Sequence, residues 1–305
     1  MVRDGELGDE EGASGRHRPP RPRAGRRADR TGEEDVGSGV LSTEAVALRA
    51  EAVVRAVRSV PEAELRVSYV KSVLRKEDVV DLARWLDVLC ARAEQAEPSA
   101  REVLVALVDA LQDPSLAEIV QRLREEAAGV PHLALERLVR QPVAIAPARD
   151  VCAPDEDRIP DYGRGRPLTL GERKSLARRP DRAMTERLLR DPHPDVIRQL
   201  LTNPKVTEED VLSLAARRPC RPDVLTQIAR SPRWTHRPRI RIALILNPDT
   251  PLEVTAPLVG LLVRQELRLV ATSTTVAPAL RALCLEHLER RPPSPFDDVD
   301  DEVLQ

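Results

Sequence analysis

The chain has 305 residues, 41% of them apolar and 32% charged, with a formal net charge of −2 and only 2% aromatic residues. That balance excludes a wholly disordered chain, and the length suffices for about two domains, each with its own core. Cores built from Leu, Val, Ile and Ala with so few rings suit packed helices and argue against a β-sandwich, whose strands draw on aromatic and β-branched residues.

Lysine is confined to Lys71, Lys76, Lys174 and Lys205 while arginine is abundant, a bias typical of GC-rich coding sequence, so a basic patch is discounted accordingly. The N-terminus lacks the apolar stretch of a signal peptide, and no apolar run approaches the roughly 18 residues of a spanning helix. No membrane association is therefore expected. Cys90, Cys152, Cys220 and Cys284 are scattered without CxxC spacing and read as reduced cytosolic thiols.

Residues 1–40 hold almost no large apolar side chains and are expected to form a disordered tail. Seven Arg between Arg16 and Arg30 read as a solvated run. From 41 to 143 the pattern is helical throughout and predicts an N-terminal helical bundle. Val46, Ala50, Val53, Val57 and Val60 recur at steps of three and four, and so do Val79, Leu82, Leu86 and Leu89. Ser99 and Glu102 have capping-box spacing, and Asp113-Pro114 reads as a cap followed by Pro in the first turn. Residues 144–167, with Pro147, Pro154, Pro160, Pro167, Gly163 and Gly165, predict a linker.

The most informative stretch is 168–291. A phrase of one aliphatic or Ala residue, one or two polar residues and Pro recurs, ending at Pro180, Pro192, Pro204, Pro219, Pro232 and Pro248. Each Pro ends the preceding helix by restricting the residue before it and by lacking an amide proton. Asp191 and Asn203 are placed to cap the helix that follows, and Val196, Ile197, Leu200 and Leu201 to face a shared core. Such short helices are marginal alone and gain stability by stacking, so the segment predicts an α-solenoid of short helical repeats. The fold class expected for the whole chain is all-α. Residues 292–305 are expected to be an acidic disordered tail, with five carboxylates between Asp297 and Glu302.

The phrases Asp191-Pro192-His193-Pro194-Asp195-Val196, Leu200-Leu201-Thr202-Asn203-Pro204, Glu209-Asp210-Val211-Leu212 and Leu246-Asn247-Pro248-Asp249-Thr250-Pro251-Leu252-Glu253-Val254 resemble the leucine-rich repeat variant family and, more loosely, HEAT-like repeats. The likeness spans about residues 176–258 and rests on turn and core positions, so it implies an armadillo-type helical fold and little about function. One member of that family carries an iron–sulfur cluster on grouped cysteines. No such group occurs here, and no cofactor is expected.

Residues 161–291 hold 24 basic and 15 acidic side chains. Arg178, Arg179, Arg190, Arg217, Arg218 and Arg230 all lie just before a signature Pro. If equivalent positions stack along one edge they form a stripe, joined by Arg233, Arg237, Arg239 and Arg241, with Trp234 as a hot spot among them. The competing readings are that Arg at helix C-termini caps carbonyls and that Trp234 is core. Cys284 and His287 are spaced to share a metal but lack a second pair, so no metal site is expected. No HExxH, GxSxG, Walker or EF-hand pattern is present, and no enzyme activity is expected. The expected function is a non-catalytic cytoplasmic scaffold or adaptor that binds a protein partner through the repeat surface. The alternative partner is a nucleic-acid duplex, held by its backbone along the Arg-rich edge.

Overall fold

The computed structural model describes residues 42–141, 159–179 and 181–293. Among these residues every regular element is helical, with sixteen α-helices, one 3-10 turn and no strand. The expected tail at 1–40, most of the expected linker and nearly all of the acidic tail lie outside the described residues.

Six helices make up the N-terminal region: α1 (Thr43–Ser59), α2 (Ala63–Lys76), α3 (Val79–Glu94), α4 (Pro98–Leu111), α5 (Ala117–Gly129) and α6 (Leu133–Val139). Their starts follow local chemistry. Ser42 accepts the Ala45 amide at 3.2 Å, Asp78 accepts that of Val80 at 2.9 Å, and Asp113 accepts that of Ser115 at 2.8 Å ahead of the 3-10 turn. The capping box expected at Ser99 and Glu102 is not formed. Pro98 opens α4, which puts Ser99 inside the first turn, where its hydroxyl donates to Glu97 at 2.5 Å. Glu102 is drawn instead to Arg58 and Arg66 at 3.0 and 2.6 Å. The valine stripe of α1 and the leucine stripe of α3 are buried, around the fully enclosed Trp85. At the end of α3, Ala96 takes a left-handed conformation with φ 62°, and the amides of Ala96 and Glu97 return to the carbonyls of Ala93 and Arg92.

Ten shorter helices follow: α7 (Leu170–Arg178), α8 (Arg182–Leu188), α9 (Pro194–Leu201), α10 (Glu208–Ala216), α11 (Pro222–Ala229), α12 (Pro232–Thr235), α13 (Pro238–Leu246), α14 (Leu252–Val259), α15 (Arg264–Thr272) and α16 (Pro278–Arg290). Each helix of the signature ends a few residues ahead of its Pro, as the restriction before proline requires. The widest interval, Pro232 to Pro248, holds the single-turn α12 as well as α13. Val196, Ile197, Leu200 and Leu201 are buried. Helix α7 packs on α9, α9 on α11, α10 on α13, and α13 on α15.

The signature Asp and Asn differ from expectation. The helix that follows each is capped by a later residue, His193 for α9 and Thr207 for α10, the latter in a capping box with Asp210. Asp191 and Asn203 sit too far upstream to cap it, because two residues lie between Asp191 and α9 and four between Asn203 and α10. They shape the turn instead: the side-chain oxygens of Asp191, Asn203 and Asn247 each accept the amide two residues on, at 2.9 to 3.0 Å.

The segment expected as a linker does not separate a pair of independent cores. The described residues from Val46 to Cys284 share one hydrophobic cluster. Helix α12 packs on α2 and α4, and α14 on α6. Thr235 donates to buried Asp109 at 2.6 Å, Arg101 to the Leu261 carbonyl at 2.9 Å, and the buried guanidinium of Arg291 to the carbonyls of Ala93 and Gly260. The end of the expected linker is docked as well. Tyr162 is buried, and its hydroxyl donates to Asp191, which also receives Arg173 at 2.8 Å. Gly163, with φ 70°, makes this turn, and a side chain there would run into Arg187.

Candidate binding surface

The turns of the C-terminal helices sort into two edges, and side-chain bonds define them. On the first edge, the Asn203 carboxamide donates to the Arg178 carbonyl at 2.7 Å, closing the end of α7. The Trp234 indole donates to the Leu201 carbonyl at 3.0 Å, and Arg233 donates to that of Asn203 at 2.8 Å, closing the end of α9. The starts of the intervening helices share this edge: Arg182 pairs with Asp210 at 2.8 Å, and Arg239 with Glu209 at 2.6 Å. On the second edge, Arg217 donates to the Leu189 carbonyl at 2.6 Å, closing α8. Asn247 donates to the carbonyls of Ala215 and Arg217 at 2.7 and 2.9 Å, closing α10, and Arg218 donates to that of Leu246 at 2.7 Å, closing α13. The bonds to carbonyls satisfy acceptors at or just beyond helix C-termini with donors from neighbouring units.

This geometry rearranges the expected stripe. The signature Pro marks every helix end, and consecutive helices run in opposite directions, so the Arg before successive prolines alternate between edges. Arg178, Arg179 and Arg230 fall on the first edge, and Arg190, Arg217 and Arg218 on the second. Several are committed within the protein. Arg217 and Arg218 cap carbonyls, and Arg233 lies 4.4 Å over the Trp234 ring while bonding Asn203. Arg241 is buried and donates to the Thr235 carbonyl at 2.8 Å. Arg237 and Arg239 are exposed but face Glu208 and Glu209 at 3.8 and 2.6 Å. Trp234 is only 2% exposed, so it is a core residue that plugs the turn.

Arg178, Arg179, Arg190 and Arg230 are exposed and meet no carboxylate among the described residues. Lys205, in the turn after α9, joins Arg178, Arg179 and Arg230 on the first edge. Sequence reasoning passed it over, although its place directly after signature Pro204 was a usable signal.

Buried ionisable groups lie where the N-terminal and C-terminal helices meet. Desolvation pushes Asp109 up to about 7, against the Thr235 hydroxyl and the nearby charges of Arg241 and Lys71, and its Oδ2 has no donor. Burial also lowers the pKa of Arg241. His287 is pushed down to about 3, by burial first and then by Arg291 and Arg137. Its Nδ1 is 3.8 Å from Glu94, which is held by Arg137 through bonds of 2.7 and 2.6 Å. Asp109, Arg241 and His287 are enclosed by packing. An open depression of about 440 Å³ between α3, α6 and α16 is lined by Arg92, Glu94, Glu97, Arg137 and Arg290. Its charged groups are already paired: Arg92 with Glu97 at 2.5 Å and Arg137 with Glu94 at 2.6 Å.

Among the described residues no three His, Cys, Asp or Glu stand together as metal ligands, and no helix is long and apolar enough to cross a membrane. Comparison with protein-family models, with curated proteins and with solved structures finds no match for this chain.

Proposed function

We propose that residues 168–291 form an α-solenoid of the leucine-rich repeat variant or HEAT-like kind, and that the chain is a non-catalytic cytoplasmic scaffold binding a protein partner through the exposed turns of that region. The observation that carries this reading is the set of buried Asn and Trp donors and half-buried Arg donors. Each reaches a carbonyl 25 to 33 residues away, about one two-helix unit. Such bonds hold successive turns in fixed register, which gives a partner a pre-organised surface. Much of the arginine that would serve a nucleic-acid backbone is spent inside the fold, and this favours protein over duplex as the partner.

Site-specific photo-crosslinking tests the proposal. A photoreactive residue is placed in turn at Arg178, Arg190, Gln199 and Arg230 of the full chain, and at exposed Leu48 of α1 as a control. The reading expects one discrete protein adduct from the C-terminal positions and none from Leu48. Adducts of equal pattern from all positions, or adducts with nucleic acid alone, count against it.

A further inference from the structure

The first edge carries an imbalance that its own packing creates. Its carboxylates are engaged: Asp181 accepts the Met184 amide at 2.7 Å, Asp210 holds Arg182, Glu208 faces Arg237 and Glu209 pairs with Arg239. Its cations are not all matched. Arg178 and Arg179 at the end of α7, Lys205 after α9 and Arg230 after α11 are exposed and meet no acidic group among the described residues. One uncompensated cationic position therefore stands at each of three successive turns.

The second edge is different. After its first turn, where Arg187 and Arg190 are unmatched, Arg217 and Arg218 are bound to carbonyls and Arg221 is paired with Asp223. Its later turns present no comparable series.

We infer that the first edge, at the turns after α7, α9 and α11, docks an extended acidic segment of a partner protein, with carboxylates meeting Arg178 or Arg179, Lys205 and Arg230 in sequence. The inference rests on the scaffold reading and names the class of partner for it. Packed helices lie about 8–10 Å apart, so the three positions repeat at that interval. An extended chain advances about 3.3 Å per residue, so the matching ligand has an acidic residue at roughly every third position. A duplex fits less well, because its charge is distributed around a wide cylinder while the unmatched cations here are confined to three turns. The distant donors that close the turns after α7 and α9 keep their spacing fixed, which favours a ligand of matching period over one of equal charge alone.

The test uses the full chain and a fluorescent peptide of four Asp-Gly-Ser repeats, read by anisotropy at about 20 mM salt, where surface charge is weakly screened. A control peptide of identical composition has its four Asp in one block. The variant R178E/R179E/R230E is compared with R187E/R190E, all at exposed positions, with helicity checked by circular dichroism. Binding of the periodic peptide is expected to weaken at least about tenfold in the first variant and to change less than about twofold in the second. The block peptide is expected to bind more weakly than the periodic one. Absence of binding, equal loss in both variants, equal binding of both peptides, or tighter binding of a duplex of equal charge overturns the inference. If these fail while a discrete adduct still forms from Arg190 or Gln199, the scaffold reading stands and only the acidic-segment docking is lost.

Discussion

Replacing Asn203 by Asp separates two roles that the residue combines. Its Oδ1 accepts the Lys205 amide at 2.9 Å, a local bond that shapes the turn, and its Nδ2 donates to the carbonyls of Arg178 at 2.7 Å and Ala177 at 3.4 Å. Asp forms the local turn as well as Asn does, so if only that role matters the substitution costs almost nothing. The carboxylate has no donor, however, and it would face two carbonyls at the negative end of α7. Asn203 is 4% exposed, so water does not readily replace the lost bonds. Losing the inter-unit bonding costs about 1 kcal/mol net, and leaving a buried acceptor unsatisfied beside a charge adds about 1–3 kcal/mol. The expected destabilisation is about 3 kcal/mol, read as a shift of the urea midpoint at pH 7 in the full chain. Asn247→Asp, which loses equivalent bonds of 2.7 and 2.9 Å, should behave the same way. A cost below about 0.5 kcal/mol at both positions would refute the inter-unit role, since that is what turn-shaping alone predicts.

Other expectations follow from the same structure. Ala96→Gly should stabilise by roughly 0.5–1 kcal/mol, because Ala96 occupies the left-handed position at the end of α3 that glycine adopts without steric cost; thermal unfolding measures it, and a loss of stability would contradict the geometry. Asp109 and His287 oppose each other in pH dependence. Raising Asp109 to about 7 makes stability fall as pH rises from about 4 to 7, whereas lowering His287 to about 3 makes stability fall as pH drops below about 6.5. His236, lowered by burial, adds to the second effect. Asp109→Asn should therefore be more stable than the parent at pH 8 and should lose about 1.4 kcal/mol or more per unit between pH 6.5 and 4.5, where the parent changes less; parallel urea-unfolding profiles would exclude this. Residues 159–305 produced alone should fail to unfold cooperatively, because α12, α14 and Arg291 lose their seats on α2, α4, α6 and Ala93; a sharp calorimetric transition from that piece would show an independent core.

Much of the fold was legible in the sequence, because helix periodicity and proline punctuation act locally. The stripe from Val46 to Val57 and the core positions Val196 to Leu201 are buried as the spacing required. What escaped was every property set by partners distant in sequence. Ser99 and Glu102 have capping-box spacing, but Pro98 and two arginines on other helices decide their bonds. The Pro-rich stretch before α7 looks like a linker until Tyr162 is seen to donate to Asp191, a contact without a local signature.

The candidate surface was half legible. The exposure of Arg178, Arg179 and Arg230 follows from their place at helix ends. Their separation from Arg190 depends on the alternating direction of successive helices, and the loss of Arg217, Arg218 and Arg241 to internal bonds depends on three-dimensional neighbours. Trp234 carried the same ambiguity, since a residue type enriched at interfaces is equally at home filling a turn.

The pairing of units through their turn residues is open to direct observation by NMR. Scalar coupling across a hydrogen bond should link the Asn203 Nδ2 to the carbonyl carbon of Arg178, and the Asn247 Nδ2 to those of Ala215 and Arg217, with the carboxamide protons exchanging slowly with solvent. Carboxamide protons that exchange at the rate of a free side chain, with no coupling to any of these carbonyls, would contradict the account.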